Sequence, residues 1–305
     1  MSYKNILVTG GAGYIGSHLI YTLAHRFPGA SITSLDNYFL GRSTRHVPSP
    51  NVHYLRGHTK NLSKIWGVLQ ASSPDIIFHL GEYSRIPTAF DDEHLIWDYN
   101  TIGTHEILQF ARKHGSKLMY SGSSSIFGNQ GDDRRLNPYS ASKAANCELI
   151  RNWGDWYGLE YVICYFHNVY GPRLLSTGRY AGVIGRFMEQ YRRGLPLTVV
   201  APGTQTRDFT HIDDTIAGIV DCATHGSGDD YLIGTGKEHS MHDVAQMFEA
   251  PYGLIPPQRG ERAHGRADNR KVRSLGWKPR HDLPSFIHHF TTTVRKTRQI
   301  RKDLA

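Results

Sequence analysis

A chain of 305 residues, of which 39% are hydrophobic and 20% are charged, is large enough for one large or two modest globular domains. It contains no apolar run near the roughly 20 residues that span a bilayer, and its three cysteines lack metal-ligand spacing, so we expect a reduced, cytoplasmic protein. The net charge of +8 arises partly from residues 295–302, which we interpret as a solvated helix end rather than a nucleic-acid site, although a basic cleft would also attract an anionic substrate. We expect no metal site, no nucleic-acid partner and no membrane partner.

The first element is a short buried strand followed by a glycine-rich turn. Residues Ile6 to Thr9 are apolar or β-branched, and Gly10, Gly13 and Gly16 follow at three-residue spacing. We expect Gly10 to turn the chain, Gly13 to let a pyrophosphate approach the backbone, and Gly16 to let the next helix pack closely. That helix begins at Tyr14 and would offer free N–H groups and a partial positive charge to phosphates. This pattern predicts a dinucleotide-binding turn.

A carboxylate at the end of the second predicted strand completes this pattern. The strand 31–35 ends at Asp36, about twenty residues after the last glycine. The Asp36 carboxylate is placed to bind the hydroxyls of an adenosine ribose and would repel a 2′-phosphate, so the predicted cofactor is NAD. Arg42 lies near enough in sequence to keep NADP open.

Strand and helix patterns continue to alternate as far as residue 166. The predicted strands are 52–55, 75–80, 117–120 and 161–166, and the predicted helices are 61–71, 100–114 and 138–157. The strand 75–80 contains the apolar run Ile76–Phe78, and Leu80 follows His79, which is typical of a strand covered on both faces. The alternation predicts an α/β fold, namely a Rossmann-type doubly wound parallel sheet.

The rhythm changes after residue 170. A helix at 181–193, a strand at 196–200 and further short elements predict a smaller α+β domain over the carboxyl edge of the sheet. We therefore expect an NAD-binding domain over residues 1–170, to which the chain returns near 209–235, and a smaller second domain over residues 171–305.

Two residues on the helix 138–157 carry the predicted chemistry. Tyr139 and Lys143 lie one turn apart and project from the same face. A free tyrosine has a pKa near ~10, and a neighbouring ammonium favours the phenolate and brings that pKa toward the operating pH. Such a tyrosine can take a proton from a sugar hydroxyl while hydride leaves the same carbon. Ser123, at the end of the preceding strand, can hydrogen-bond that hydroxyl.

Further motifs along the chain carry a family resemblance. They are Thr9–Gly16, His79–Leu80, Asn100, Ser123 with Ile126–Gly128, Tyr139–Lys143, Asn168–Arg173, Arg207–Asp214 and Leu275–Pro279. Through these motifs the chain resembles the extended short-chain dehydrogenase/reductase superfamily, the nucleotide-sugar epimerases and dehydratases, over nearly its whole length. The resemblance implies tightly held NAD, a nucleoside-diphosphate sugar as substrate and a homodimer, and it makes residues 171–305 the nucleotide-sugar-binding domain.

The resemblance also implies which residues bind each ligand. For NAD it implies Gly10, Gly13, Tyr14, Ile15, Gly16, Asp36, Asn37, His58, Leu80, Gly81, Asn100, Tyr139 and Lys143. For the sugar nucleotide it implies Ser84, Ser123, Ser124, Asn168, Val183, Arg207, Arg259 and Glu261. Asn168 and Arg207 would bind the diphosphate and Glu261 the nucleoside ribose, with ordinary surface charge as the alternative for Arg207 and Glu261.

The residues after Ser123 bear on the type of reaction. Family 4,6-dehydratases carry an Asp-Glu pair there as acid and base, whereas this chain has Ser124 and Ser125. The site therefore resembles that of the 4-epimerases. In the implied reaction Tyr139 deprotonates the 4-hydroxyl, hydride passes from C4 to NAD, and hydride returns to the opposite face of the 4-keto sugar. A UDP-hexose or UDP-N-acetylhexosamine is the expected substrate. A dehydratase, a reductase, an epimerase at another carbon and a catalytically silent NAD-binding protein remain open.

Some residues depart from the family pattern. His58 replaces an aspartate that binds adenine, and Gln258 occupies the place of a diphosphate-binding arginine, one position before Arg259. Glu82 replaces a small residue in the loop after the strand 75–80. We interpret Glu82 as an ion-pair partner of Arg85, with an acid/base role near the nicotinamide as the alternative.

Overall fold

The computed structural model of the protein describes residues 3–69, 72–127, 129 and 133–303. Within these residues the strands are β1 (Asn5–Thr9), β2 (Ser31–Asp36), β3 (Val52–Arg56), β4 (Ile76–His79), β5 (Lys117–Ser123), β6 (Tyr161–Phe166), β7 (Val169–Tyr170), β8 (Leu197–Val200), β9 (Thr206–Asp208), β10 (Thr210–His211), β11 (Gly228–Ile233), β12 (Glu238–Ser240) and β13 (Tyr252–Ile255). The α-helices are α1 (Tyr14–Arg26), α2 (Leu62–Leu69), α3 (Glu93–Ile96), α4 (Gly103–His114), α5 (Pro138–Tyr157), α6 (Val183–Arg193), α7 (Ile212–His225), α8 (Met241–Met247), α9 (Arg270–Ser274) and α10 (Leu283–Asp303).

Seven parallel strands form the central sheet in the order β11-β6-β5-β4-β1-β2-β3. The chain begins in the middle of the sheet at β1, moves outward to β3, and then crosses back to β4 on the other side of β1. This change of direction leaves a crevice at the carboxyl ends of β1 and β4, where ligands bind in open α/β sheets. The predicted Rossmann-type doubly wound sheet is confirmed.

Both faces of the central sheet are buried. Ile6 and Val8 of β1 belong to a core with Leu19 of α1 and residues of α7. Leu7 points to the opposite face and belongs to a second core with Ile150 of α5 and residues of α4. Because successive side chains of a strand point to opposite faces, burial on both sides requires the unbroken apolar runs seen in the sequence.

The predicted start of the helix 100–114 is wrong. The helix begins at Glu93, passes through a π-helical segment at Trp97–Ile102, and continues as α4 to His114. Asn100 therefore lies inside a continuous helix, where it is fully buried. A wider π-turn changes which face a residue occupies, and π-turns are frequent at functional sites. The predicted helix 61–71 begins at Leu62 as α2, and positions 70 and 71 lie outside the described residues.

The segments after β7 form a smaller region with its own core. β8 pairs with β13, β9 with β12, and β7 with β10. Phe187 of α6, Phe248 after α8 and Ile287 of α10 are fully buried together in this core. Between these segments the chain returns to the central sheet, where β11 pairs with β6 and α7 packs on the same face as α1.

The last helix carries the basic tail identified in the sequence. α10 runs to Asp303, and His288 and His289 are exposed on it. Across the described residues, none of the helices combines the length and the apolar character that crossing a membrane requires.

Candidate active site

A cavity of about 480 Å³ lies along the carboxyl edge of the central sheet. Most predicted site residues line it, namely Gly10, Gly13, Tyr14, Ile15, Gly16, Asp36, Asn37, Leu80, Gly81, Ser84, Ser123, Ser124, Tyr139, Lys143, Asn168, Val183, Arg207 and Glu261. Three predicted site residues, His58, Asn100 and Arg259, do not line the cavity. The fold thus brings together residues that are spread over 250 positions of the chain.

The turn between β1 and α1 forms one end of the cavity. Gly10 has a φ of +71°, a conformation that glycine adopts at no steric cost. The Gly13 N–H donates to the Gly10 carbonyl at 3.0 Å, and Gly13 precedes α1 without a side-chain cap. The first turn of α1 therefore presents its backbone N–H groups to the cavity, as a phosphate site requires. A Cβ on Gly16 would lie 2.2 Å from the Gly10 oxygen, so this position admits only glycine without movement of the turn.

Asp36 lies beside this turn at the end of β2. Its Oδ2 accepts from the Ala12 N–H at 3.0 Å and its Oδ1 from the Tyr38 N–H at 2.7 Å. Burial raises the pKa of the Asp36 carboxyl, while these hydrogen bonds and the Arg45 charge oppose that rise. Each oxygen keeps a further lone pair for a ribose hydroxyl. Arg45 lines the cavity, whereas Arg42 does not.

The three residues predicted to be catalytic lie at the centre of the cavity. Ser123 ends β5, and its hydroxyl donates to the Ser125 hydroxyl at 2.9 Å. α5 begins next to it because Asn137 caps the helix by accepting from the Ser140 N–H at 2.8 Å. The first turns of α5 then present Tyr139 and Lys143 to the cavity, and both side chains are buried.

The interpretation of Glu82 as a partner of Arg85 is wrong. The Glu82 carboxylate forms its ion pair with the Lys143 ammonium and lies below the surface. Arg85 instead donates from Nε to the Tyr180 carbonyl at 2.5 Å and from Nη1 to the Ser84 carbonyl at 2.8 Å. The loop after β4 turns Glu82 toward α5 and Arg85 toward the segment before α6, so the two charges separate.

Arg207 and Glu261 meet on the side of the cavity formed by the smaller region. The Arg207 guanidinium donates from Nη2 to Glu261 Oε1 at 3.0 Å, and from Nη1 to the Thr206 carbonyl at 2.7 Å. Burial lowers the pKa of Arg207, and the Glu261 charge opposes this effect. Asn168 lies nearby and donates to the Asp208 carbonyl at 2.8 Å. A guanidinium and an amide held in this way can present donors to a diphosphate.

The three predicted site residues outside the cavity walls have other neighbours. His58 Nε2 lies 3.3 Å from an Asp98 carboxylate oxygen. Asn100 accepts from the Tyr83 N–H at 2.7 Å and donates to the Ser142 hydroxyl at 3.0 Å, and thereby connects the loop after β4 to α5. The Arg259 guanidinium lies 4.1 Å from the centre of the Phe90 ring. Ligand contacts by these residues remain predictions.

Sequence reasoning missed Arg262. This buried residue lines the cavity, donates from Nη2 to the Ser124 hydroxyl at 3.1 Å, and also contacts the Ser124 carbonyl. Burial lowers the pKa of Arg262 to about 10, and the nearby Arg207 charge adds to this effect. Its position directly after Glu261 was the available signal, but the spacing alone does not show that its side chain turns inward.

An aromatic wall beside the predicted cofactor end was also missed. Phe39, Tyr83 and Tyr99 line the cavity. Phe39 packs edge-on against Tyr180 with ring centres 5.4 Å apart, and the Tyr180 hydroxyl donates to Asp92 at 2.9 Å. The aromatic side chains come from four separate segments, so no local sequence pattern groups them.

Comparisons with known proteins agree with this geometry. The family model described as "NAD dependent epimerase/dehydratase family" matches residues 6–234. The UDP-glucose 4-epimerase of Mycolicibacterium smegmatis is 29% identical over 90% of this chain and 93% of its own length. The UDP-N-acetyl-alpha-D-glucosaminuronate decarboxylase of Bacillus cytotoxicus is 31% identical over 80% of this chain and 78% of its own length. The structure of the UDP-glucose 4-epimerase of Thermus thermophilus in complex with NAD superimposes with a TM-score of 0.85 at 26% identity, and covers 95% of this chain and 99% of that one.

Proposed function

The chain belongs to the NAD-dependent epimerase/dehydratase family, and we propose that it interconverts a nucleoside-diphosphate sugar and its C4-epimer through a 4-keto intermediate. One observation carries this proposal: a single cavity is lined by the glycine turn, by Ser123, Tyr139 and Lys143, and by Arg207. A cofactor site, a proton-transfer site and a cationic substrate site are thus continuous. The substrate we propose is a UDP-hexose or UDP-N-acetylhexosamine, since the relatives above are named for UDP-sugars.

The residues present at the cofactor end suit NAD. The N–H groups of the first turn of α1 would bind the pyrophosphate, and a Cβ at Gly13 would enter the space that the pyrophosphate needs. Asp36 would bind the adenosine ribose. Bound NAD supplies a reversible hydride acceptor, so the reaction involves no net oxidation.

Tyr139, Ser123 and Lys143 would handle the substrate proton. The Tyr139 phenolate takes the proton from the 4-hydroxyl and later returns it to the same oxygen after the sugar has turned over in the cavity. The Ser123 hydroxyl holds that oxygen in place. The Lys143 ammonium, one helical turn away, would stabilise negative charge on the Tyr139 oxygen during the transfer, because opposite charges attract strongly in a buried site.

Two observations favour epimerisation over β-elimination. The positions after Ser123 are Ser124 and Ser125, which cannot act as the carboxylic acid and carboxylate base of a dehydratase. The nearby carboxylate of Glu82 is bound by Lys143 and by three neutral donors, and is therefore occupied.

We also propose that the two parts of the chain bind different ligands. Residues 1–170 together with 209–235 would bind NAD, and the rest of residues 171–305 would shape the sugar-nucleotide site.

We further propose that the protein forms a homodimer. Trp97 and Trp156 are 57% and 61% exposed on the helices beside the cavity, and burying such side chains against a second copy would be favourable. Light scattering coupled to size-exclusion chromatography tests the dimer, and a monomer at micromolar concentration would contradict it.

The decisive experiment uses purified protein without added NAD. UDP-glucose, UDP-galactose, UDP-N-acetylglucosamine, UDP-glucuronate and GDP-mannose are incubated separately, and the sugars are followed by proton NMR. We expect a C4-epimer at constant mass from at least one UDP-sugar. A product lighter by one water would instead identify a dehydratase. No change, even after NAD is added, would contradict the proposed function for these substrates.

A further inference from the structure

We propose that Glu82 is a positioning residue for the reaction proposed above, which holds the Lys143 ammonium in one place and compensates its charge inside the cavity wall. This inference rests on the proposed function and gives Glu82 a role different from both roles considered in the sequence analysis. Its role is indirect, because Glu82 acts through Lys143 rather than on the substrate.

The surroundings of Glu82 are closed and polar. The side chain is 1% exposed, and its Oε2 accepts from the Lys143 ammonium. Its Oε1 accepts from the Thr104 hydroxyl at 2.7 Å, the Asn146 amide at 2.9 Å and the Tyr120 hydroxyl at 3.0 Å. These donors come from α4, α5 and β5, so three elements hold the carboxylate in position independently of its contact with Lys143. A buried carboxylate with this many donors is fully satisfied.

The hydrogen bonds of Lys143 leave one of its ammonium N–H groups free for another partner. An ammonium has three donors. One is directed to Glu82, and a second donates to the Ser121 carbonyl at 2.6 Å. These two bonds stop the rotation of the ammonium and leave one N–H for the cofactor ribose or for the side of Tyr139.

The charge balance also depends on Glu82. Lys143 is 3% exposed, and burial lowers its pKa, but the charge and hydrogen bond of Glu82, together with smaller contributions from Tyr139 and Cys147, oppose burial, and the pKa of Lys143 is raised overall. Lys143 therefore keeps its proton at neutral pH. Without Glu82, a buried ammonium beside a cationic nicotinamide would lose the carboxylate that compensates its charge.

The other titratable groups around Glu82 cannot replace it. From β4, His79 Nε2 lies 4.0 Å away, and burial lowers the pKa of His79 to about 4. From β5, burial raises the pKa of Tyr120 well above its usual value. From α5, burial raises the pKa of Cys147 to about 12. All three side chains are uncharged at neutral pH, so none of them can replace the negative charge that the Glu82 carboxylate places next to Lys143.

The test is the pH–rate profile of kcat/KM for the wild type, Glu82→Gln and Asp214→Asn. Glu82→Gln keeps the shape of the side chain and removes its charge, so Lys143 should lose its proton at lower pH. We expect the alkaline limb of the Glu82→Gln profile to move down by about two pH units, because removing one partner strands a buried charge. Activity at pH 6 should stay closer to that of the wild type.

Asp214→Asn is the matched control. Asp214 is a buried carboxylate that accepts from the Arg280 and His281 N–H groups at 3.0 and 2.9 Å, and it does not line the cavity. Its substitution should lower stability without moving either limb of the profile. An unmoved alkaline limb in Glu82→Gln, or an equal movement in Asp214→Asn, would overturn the inference.

A second measurement does not depend on turnover. Urea unfolding of Glu82→Gln, Lys143→Met and the double variant forms a cycle. The double variant should unfold at a higher urea concentration than Lys143→Met, because Lys143→Met leaves the Glu82 carboxylate buried and unpaired. Additive effects would overturn the inference. If the wild type converts no sugar nucleotide, the proposed function fails, and the pH dependence of NAD binding to the same variants then tests the inference. A loss of NAD affinity that begins at lower pH in Glu82→Gln than in the wild type supports the inference, and identical profiles refute it.

Discussion

Two alanine substitutions in the turn after β1 should separate folding from cofactor binding. A Cβ on Gly16 would lie 2.2 Å from the Gly10 oxygen and 2.8 Å from the Gly11 Cα, and both are backbone atoms. The turn must therefore move by about 1 Å, and such overpacking costs about 1–3 kcal/mol. A Cβ on Gly13 has its tightest contact at 3.0 Å and otherwise points into free space. Gly13→Ala should thus cost much less stability than Gly16→Ala.

If the two variants only lost their fold, the variant with the larger loss of stability would be the only one to lose NAD binding. We expect a different result. Gly13→Ala should remain folded yet bind NAD at least tenfold more weakly, because its methyl group occupies the place expected for the pyrophosphate, and about 1.4 kcal/mol of lost contact suffices for that factor. Gly16→Ala should lose both stability and binding. Urea unfolding without cofactor gives the first quantity, and calorimetric titration with NAD gives the second.

Gly29→Ala serves as the matched control for these two variants. A Cβ at this exposed glycine would meet nothing within 4 Å. Its stability should be unchanged or rise by about 0.4–1 kcal/mol, because alanine restricts the unfolded chain. Binding of NAD to Gly13→Ala with the affinity of the wild type would refute the role given to this glycine. A Gly16→Ala variant as stable as Gly29→Ala would refute the steric argument.

Three further predictions concern the chemistry, the substrate and the stability. Tyr139→Phe should lower the rate of epimerisation by about 10²–10⁴-fold while NAD stays bound, whereas Tyr21→Phe, at a residue that is 55% exposed, should leave the rate unchanged; equal rates in both variants would contradict the mechanism. Arg207→Ala should raise KM for the sugar nucleotide by about tenfold or more, since a hydrogen bond to a charged group contributes about 1.5–3 kcal/mol, and calorimetry should find NAD binding unaffected. Ser240→Ala removes the capping box of α8 and should cost about 1 kcal/mol in urea unfolding at pH 7. The hydrogen bond from Ser240 holds the pKa of Asp243 below its usual value. The Asp243 carboxylate therefore contributes its full stabilisation above about pH 4 and loses it as the pH falls through the lowered pKa. The loss of unfolding free energy in Ser240→Ala should thus be smaller at pH 3 than at pH 7.

The elements that the sequence predicts well are those that neighbouring residues specify. The strands β1, β4 and β6 of the central sheet contain runs of consecutive apolar residues because both faces of the sheet are covered there. α5 starts where Asn137 caps it and Pro138 follows, which is a signal contained in consecutive residues. The prediction for the helix that contains Asn100 failed at its start, because a π-helical segment interrupts the regular period on which the helical pattern depends.

The site divides in the same way. The sequence by itself determined the glycine turn, the carboxylate at Asp36 and the pair of Tyr139 and Lys143, since each is set by local spacing along one strand or helix. Only the tertiary structure decided that Glu82 binds Lys143, from which it is separated by 61 positions, and that Arg262 turns into the cavity. Which charges pair in a buried site depends on the direction in which each loop leaves the sheet and on the free-energy cost of leaving a buried charge unpaired. The spacing of residues along the chain determines neither of these.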